Sequence, residues 1–150
     1  MTQVEDVTQK FVSAINRHDA EAVAAIYAND AVVQDPLYPK PLVGKTAVKK
    51  DVEDFIRALP DLRFEVTNIL EKGDLGVGES RFTGTNTGPL ATPMGEFPPT
   101  NKRVDMRAAT YFRLDAQGLI AEERRYYDTG TLMRQLGMAP EPEKVMSAAR

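Results

Sequence analysis

Near the end of the chain runs Arg124-Arg125-Tyr126-Tyr127-Asp128-Thr129-Gly130-Thr131-Leu132, a carboxylate set between a strand-like run and a helix-like one. Two chemistries fit an acid in that place. Asp128 can cap the helix that follows, its oxygens accepting from free N–H groups of the first turn. Alternatively Thr129 caps, and Asp128 is left to move a proton. Burial against an apolar wall would raise its pKa, and a base poised nearer neutrality suits proton abstraction next to a carbonyl.

The direction of Asp128 depends on one hairpin. Side chains alternate along a strand, so Asp128 shares a face with Tyr126, Arg124, Glu122 and Ile120. If Gly118 forms a bulge in the turn Asp115-Ala116-Gln117-Gly118, Leu114 pairs with Ile120 and Met106 with Asp128. Asp128 then joins Val104, Met106, Ala108, Thr110 and Phe112, while Asp105, Arg107, Arg113, Glu123 and Arg125 form the other, solvent or subunit, face. A plain four-residue turn would instead gather Asp105, Arg107 and Asp128, two acids around one arginine. The glycine favours the bulged form.

Other polar residues join the candidate pocket. Tyr126 has a hydroxyl for a substrate oxygen, and Arg124 shares its face, with Glu122 or another acid at the mouth as partner. Asp35, before Pro36, either turns its own backbone or lines the pocket. Asn68 interrupts the apolar alternation of Leu62, Phe64, Val66 and Leu70, so it needs a partner in the pocket or on an adjacent strand. Tyr27 and Phe55 lie on apolar helix faces that can front a cavity.

The elements that must position these groups follow from periodicity. Thr2-Gln3-Val4-Glu5 has the form of a capping box before a helix over about 3–17. Asp19 caps a second helix carrying Ala22, Val23, Ile26 and Tyr27. Residues 31–36 form a short strand stopped by Pro36, and a third helix with Val48, Val52, Phe55 and Ile56 runs from Gly44 to Pro60. The period then changes to two, for strands on either side of Gly73-Asp74 and for the hairpin 103–114 and 119–128. Residues 87–101, with four prolines and two glycines, read as a long irregular loop of the kind that closes over ligands. A short helix follows, ended by Gly137. Helices early and antiparallel strands late predict an α+β fold, a bent sheet around helices with an internal cavity.

Composition narrows the function classes. The chain has 150 residues, the size of one domain, with a tail at about 140–150 expected to be loosely ordered. A net charge of −3 with scattered Lys and Arg gives no footprint for nucleic acid. With no cysteine, thiolate catalysis and disulfides are excluded; a multi-histidine metal site cannot be built on the single His18, and a Ser-His-Asp system would need that residue, which is expected in an exposed helix-to-helix turn. No apolar run suits a membrane span and no secretion signal is visible, so a cytoplasmic protein is expected.

The stretches "NRHDAEAVAAIYANDAVVQDP" and "GKTAVKKDVEDFIRALPDL" resemble the nuclear transport factor 2-like superfamily, and "GTNTGPL", "PPTNKRV" and "YYDTGTLMRQLG" look more narrowly like its SnoaL-like polyketide cyclases, over residues 1–139. That resemblance implies a cone-shaped barrel with an apolar pocket, no cofactor, a small apolar ligand and a homodimer. It implies a general acid/base aspartate near the end of the last strand, the place Asp128 occupies, and a pocket histidine on the preceding strand, near which this chain has Arg107. The expected function is therefore cofactor-independent proton transfer next to a carbonyl on a small, mostly apolar or polycyclic compound. The alternatives are a binding module without catalysis, or epoxide hydrolysis through Asp105, Arg107 and Asp128, which resemble the water-activating set of limonene epoxide hydrolases.

Overall fold

The computed structural model describes residues 1–140, and the expected loose tail lies outside the described residues. The first helix begins where the capping box predicts. Thr2 Oγ1 accepts from Glu5 N at 3.1 Å and Glu5 Oε2 accepts from Thr2 N at 3.4 Å. Helix α1 (Gln3–Asn16) buries Val4, Val7, Ala14 and Ile15. His18 takes a φ of 58° in the following turn, half-buried, with Nε2 2.8 Å from Leu62 O. Asp19 then caps α2 (Ala20–Ala24) through Ala22 N at 3.0 Å. This helix is shorter than its apolar periodicity predicts, because Tyr27 already belongs to β1 (Tyr27–Gln34).

After β2 (Leu42–Val43) comes α3 (Lys45–Ala58). The long strands are β3 (Arg63–Lys72) and β4 (Leu75–Thr85), then β7 (Arg103–Leu114) and β8 (Ile120–Tyr126), and α4 (Thr129–Gln135) ends the described fold. Six strands form one sheet in the order β2-β1-β8-β7-β4-β3, antiparallel except where β1 runs parallel to β8. The sheet curves but does not close into a barrel; α1 lies against β3, α3 against β1 and α4 against β7. The apolar core between helices and sheet joins Val4, Ile15, Val33 and Val48 to Leu62, Val104 and Leu114.

Residues 87–101 are not wholly irregular: β5 (Leu90–Thr92) and β6 (Gly95–Phe97) make a small separate hairpin. Asn86, fully buried, fastens it. Its Nδ2 donates to Ala58 O at 3.1 Å and Gly88 O at 2.9 Å, and its Oδ1 accepts from Thr100 N at 3.0 Å and Thr100 Oγ1 at 2.9 Å. A Cβ at Gly88 would lie 1.8 Å from Arg57 O, so only glycine permits this approach of loop to helix. Gly88→Ala is expected to destabilise the fold by roughly 1–3 kcal/mol or more, read as a lower urea midpoint at unchanged slope.

Two one-residue bulges decide which side chains face inward. In β3, Val66 pairs with Ser80 but Asn68 pairs with Glu79, so Thr67 is extra. Phe64 and Val66 are therefore followed on the concave face by Ile69, while Asn68 and Leu70 turn outward. In β8, Leu114 pairs with Ile120 as the Gly118 turn predicts, and Gly118 has the expected positive φ of 78°. The next pair is Arg113 with Glu122, so Ala121 is extra and the faces exchange beyond it. Glu123, Arg125 and Tyr127 point inward; Glu122, Arg124, Tyr126 and Asp128 do not.

Candidate functional site

The concave face of the sheet, α1 and α3 enclose a cavity of about 210 Å³. Much of its wall is aromatic: Phe55 meets Phe82 edge-on at 5.1 Å, Phe11 meets Phe64 edge-on at 5.0 Å, and Phe64 stacks with Phe82 at 6.2 Å. Against these apolar residues stands one charged cluster, built from β1, α3, β8 and the segments that follow β1 and β8.

Arg125 is its centre. Its Nη1 donates to Asp51 Oδ2 at 2.7 Å and to Asp35 Oδ2 at 3.1 Å, and its Nε donates to Glu123 Oε2 at 2.8 Å. Each acid also takes a phenol. Tyr127 Oη donates to Asp35 Oδ1 at 2.6 Å, Tyr38 Oη to Asp51 Oδ1 at 2.8 Å and Tyr27 Oη to Glu123 Oε1 at 2.7 Å. Side-chain exposure is 6% for Asp35, 8% for Glu123, 15% for Asp51 and 19% for Arg125, so the whole group is screened from bulk water. Among the described residues no other Arg, Lys or His lines the cavity. Three carboxyl groups therefore surround a single guanidinium, and no His, Cys, Asp or Glu grouping among the described residues has the form of a metal site.

The electrostatics fix the proton carriers. Burial, with the adjoining carboxylate, pushes the phenols of Tyr27, Tyr38 and Tyr127 well above their ordinary value, so each remains an O–H donor. Burial alone would lower Arg125, but the charges of Asp51, Glu123 and Asp35 outweigh it and hold the guanidinium well above its usual range. It is a permanent cation with a fixed fork. No described acceptor meets its Nη2, and the described structure contains no sealed, partnerless polar side-chain atom. Nη2 is thus the guanidinium nitrogen with no hydrogen bond found among the described residues.

Of the residues predicted for the pocket, Asp35, Tyr27, Phe55 and Ala108 line the cavity. Met106 faces inward but packs in the core, 2% exposed, without lining the cavity. Asn68 is exposed and donates through Nδ2 to Glu79 Oε1 at 3.2 Å on the adjacent strand. Arg124 lies on the outer face, donating to Glu122 Oε1 at 2.6 Å and covering the Tyr111 ring at 4.8 Å. Tyr126 is 58% exposed on that same face. These displacements follow from the bulges at Thr67 and Ala121.

Asp128 is corrected most sharply. It is the cap of α4: its Oδ1 accepts from Gly130 N at 3.0 Å and its Oδ2 from Thr131 Oγ1 at 2.6 Å, with the side chain 68% exposed. The bonds from Thr131 and Gly130 hold its carboxyl below the usual carboxylate range, the reverse of the shift expected for a buried base. Asp105 and Arg107 also lie outside the cavity, and Asp105 is paired with Arg81 through Arg81 Nε at 2.8 Å and Nη2 at 2.7 Å. Because the folded pKa of Asp128 is depressed, its contribution to stability is present above the unfolded value near 3.8 and lost as pH falls through the folded one. Asp128→Ala is expected to lower stability modestly at pH 7, with the deficit shrinking in acid, and to leave ligand binding unchanged; paired urea titrations at two pH values check this.

The described residues thus form a curved α+β cone around an internal cavity whose wall is mostly apolar and carries a single buried cluster of acids, phenols and a guanidinium. The chain belongs to the SnoaL-like polyketide cyclase family, whose sequence model matches residues 5–136. AclR from Streptomyces galilaeus, for which a hydroxylase role is proposed, is 25% identical with a TM-score of 0.76, covering 97% of this chain and 88% of its own. IdmH from Streptomyces antibioticus, for which a polyketide cyclase role is proposed, is 25% identical with a TM-score of 0.71, covering 91% and 99%. SalBIII, an epoxide hydrolase/cyclase-like enzyme in pyran ring formation in the polyether salinomycin, shares the fold at 17% identity and a TM-score of 0.70, covering 85% and 92%. Membership of this family supports a cyclase-type function, and the solved structures show the shared fold.

Proposed function

We propose that the protein is a cofactor-independent acid/base enzyme that abstracts a proton next to a carbonyl in a small, mostly apolar substrate. The observation that carries this reading is the buried Arg125 cluster facing an apolar cavity. Asp51 is the base: it is the least enclosed of the three acids, and Asp35 is further tied down by Leu37 N at 2.9 Å. The C–H bond breaks, its proton passes to an Asp51 oxygen, and the electron pair moves onto the carbonyl oxygen. That oxygen accepts from Arg125 Nη2, a cation aimed where negative charge develops. The enolate carbon then attacks a second carbonyl of the same molecule, and the resulting alkoxide takes the proton back. Tyr27, Tyr38 and Tyr127 position the acids.

A cavity of about 210 Å³ suits a compact substrate rather than an extended polycyclic one, since pockets for drug-sized ligands run to roughly 300–1,000 Å³. The expected homodimer would form on the outer sheet face, where Leu70, Val77 and Tyr126 are exposed.

The test needs no knowledge of the natural substrate. With 2-tetralone in D₂O, the protein is expected to speed exchange of the α-hydrogens, followed by proton NMR, and Asp51→Asn is expected to remove that acceleration. No acceleration by the wild-type protein across small cyclic ketones overturns the reading. A second reading is supported by Asp35 and Asp51 sharing Arg125 Nη1: two acids about one arginine can activate water for epoxide opening. Diol formation from cyclohexene oxide, without ketone exchange, selects it.

A further inference from the structure

Gly78 occupies the middle of β4 on the concave face, and no neighbour among the described residues requires a glycine there. Its φ is outside the left-handed region, and an added Cβ would meet only Val66 Cγ1 at 3.9 Å and Asn68 O at 4.0 Å. The glycines around it have evident reasons: a Cβ at Gly76 would strike Phe112 Cζ at 2.5 Å, and one at Gly84 would strike Leu59 Cβ at 2.9 Å. Glycine inside a strand weakens it, so an unforced one marks space kept for something else.

The register shows what that space adjoins. Gly78 is paired with Thr110, and Thr110 is paired with Arg125 on the next strand. The three line the cavity in one row across the sheet: an empty slot, a hydroxyl with no described partner, and the guanidinium. Two strand spacings of about 4.8 Å put the slot roughly 10 Å from the Arg125 backbone. The diagonal neighbour Ser80 also leaves room, its hydroxyl making one long contact of 3.5 Å to Ala108 O.

We propose that Gly78 is the specificity-determining residue of this cavity: a substrate whose carbonyl is held at Arg125 extends its apolar body over Thr110 into the slot that Gly78 leaves. The slot therefore admits a two-ring compound, and filling it restricts the site to one ring. This assignment rests on the carbonyl site proposed above, and the probes below separate the two.

Binding of cyclohexanone, 2-tetralone and tetralin is measured by calorimetry to the wild-type protein, Gly78→Ala and Gly78→Leu. Gly78→Leu is expected to weaken 2-tetralone by roughly ten- to a hundredfold, the discrimination a few methylenes give in an apolar pocket, and to leave cyclohexanone little changed. Gly78→Ala is expected to fall between, and both variants to unfold at or above the wild-type temperature because the strand gains a side chain. Equal binding of 2-tetralone and tetralin, both lost in Gly78→Leu, keeps the slot and sinks the carbonyl site. Unchanged 2-tetralone binding in a folded Gly78→Leu or Gly78→Ala, an equal loss for both ketones, or a wild-type protein that binds none of the probes overturns the slot.

Discussion

Replacing Asp51 by asparagine is expected to lower α-hydrogen exchange of a bound ketone by about 10²- to 10⁴-fold, the usual contribution of a positioned general base. The amide is nearly isosteric: its single oxygen can still accept from Arg125, and the Tyr38 hydroxyl, which can also accept, can rotate to meet the new NH₂, so ketone binding should change little. The loss then falls on the chemical step rather than on assembly of the site. Asp35→Asn is expected to cost less, because Asp35 is held by Leu37 N, Tyr127 Oη and Arg125 and acts through the position of Arg125. Asp128→Asn should keep full exchange, since its side chain caps α4 outside the cavity. Exchange rates from NMR in D₂O, with affinities from calorimetry, measure all three variants. Near wild-type exchange by Asp51→Asn, or its loss in Asp128→Asn, would sink the assignment.

The fold could be read from the chain because its signals were local and redundant. Thr2 and Glu5 spell the first cap, and Gly118 fixes the last turn and the first pair of its hairpin. The site could not be read the same way. Register is set by alternation, and β8 offers none after Ile120, since Glu122, Arg124 and Tyr126 are no more polar than Glu123, Arg125 and Tyr127. One extra residue at Ala121, with no glycine to announce it, turned Glu123 and Arg125, expected on the solvent face, into the cavity. In β3 a signal was present: Ile69 and Leu70 are adjacent apolar residues where strict alternation allows one, which marks a break near Thr67. Asp51 also left a trace. Val48, Asp51, Val52 and Phe55 recur at i, i+3, i+4 and i+7, so the acid stands within the inward stripe of α3 and not on its solvated face. A carboxylate in such a stripe needs a buried partner, and the arginine that meets it was the residue misplaced by the bulge.

Removal of that arginine is expected to be the most damaging single change to stability. Arg125→Leu would leave Asp35, Asp51 and Glu123 facing one another without a cation, each largely screened from water. Breaking a buried ion pair from one side costs about 3–5 kcal/mol, a large part of the roughly 5–15 kcal/mol that holds a domain folded. The variant should therefore be mostly unfolded or melt far below the wild-type protein, seen by urea titration with circular dichroism. Arg125→Lys should fold better but lose exchange activity, because a point charge cannot donate at once to Glu123, to both aspartates and to a ketone oxygen. Replacing the whole cluster separates stability from chemistry. Arg125→Leu combined with Asp35→Leu, Asp51→Leu and Glu123→Leu, and with Tyr27→Phe, Tyr38→Phe and Tyr127→Phe so that no phenol loses its acceptor, removes the cluster's charges together, and well-packed apolar substitutes for buried ion groups are often neutral or stabilising. That variant is expected to recover much of the lost stability with no exchange activity at all. If Arg125→Leu instead unfolds within about 1 kcal/mol of wild type, the cluster is not held together by its central cation.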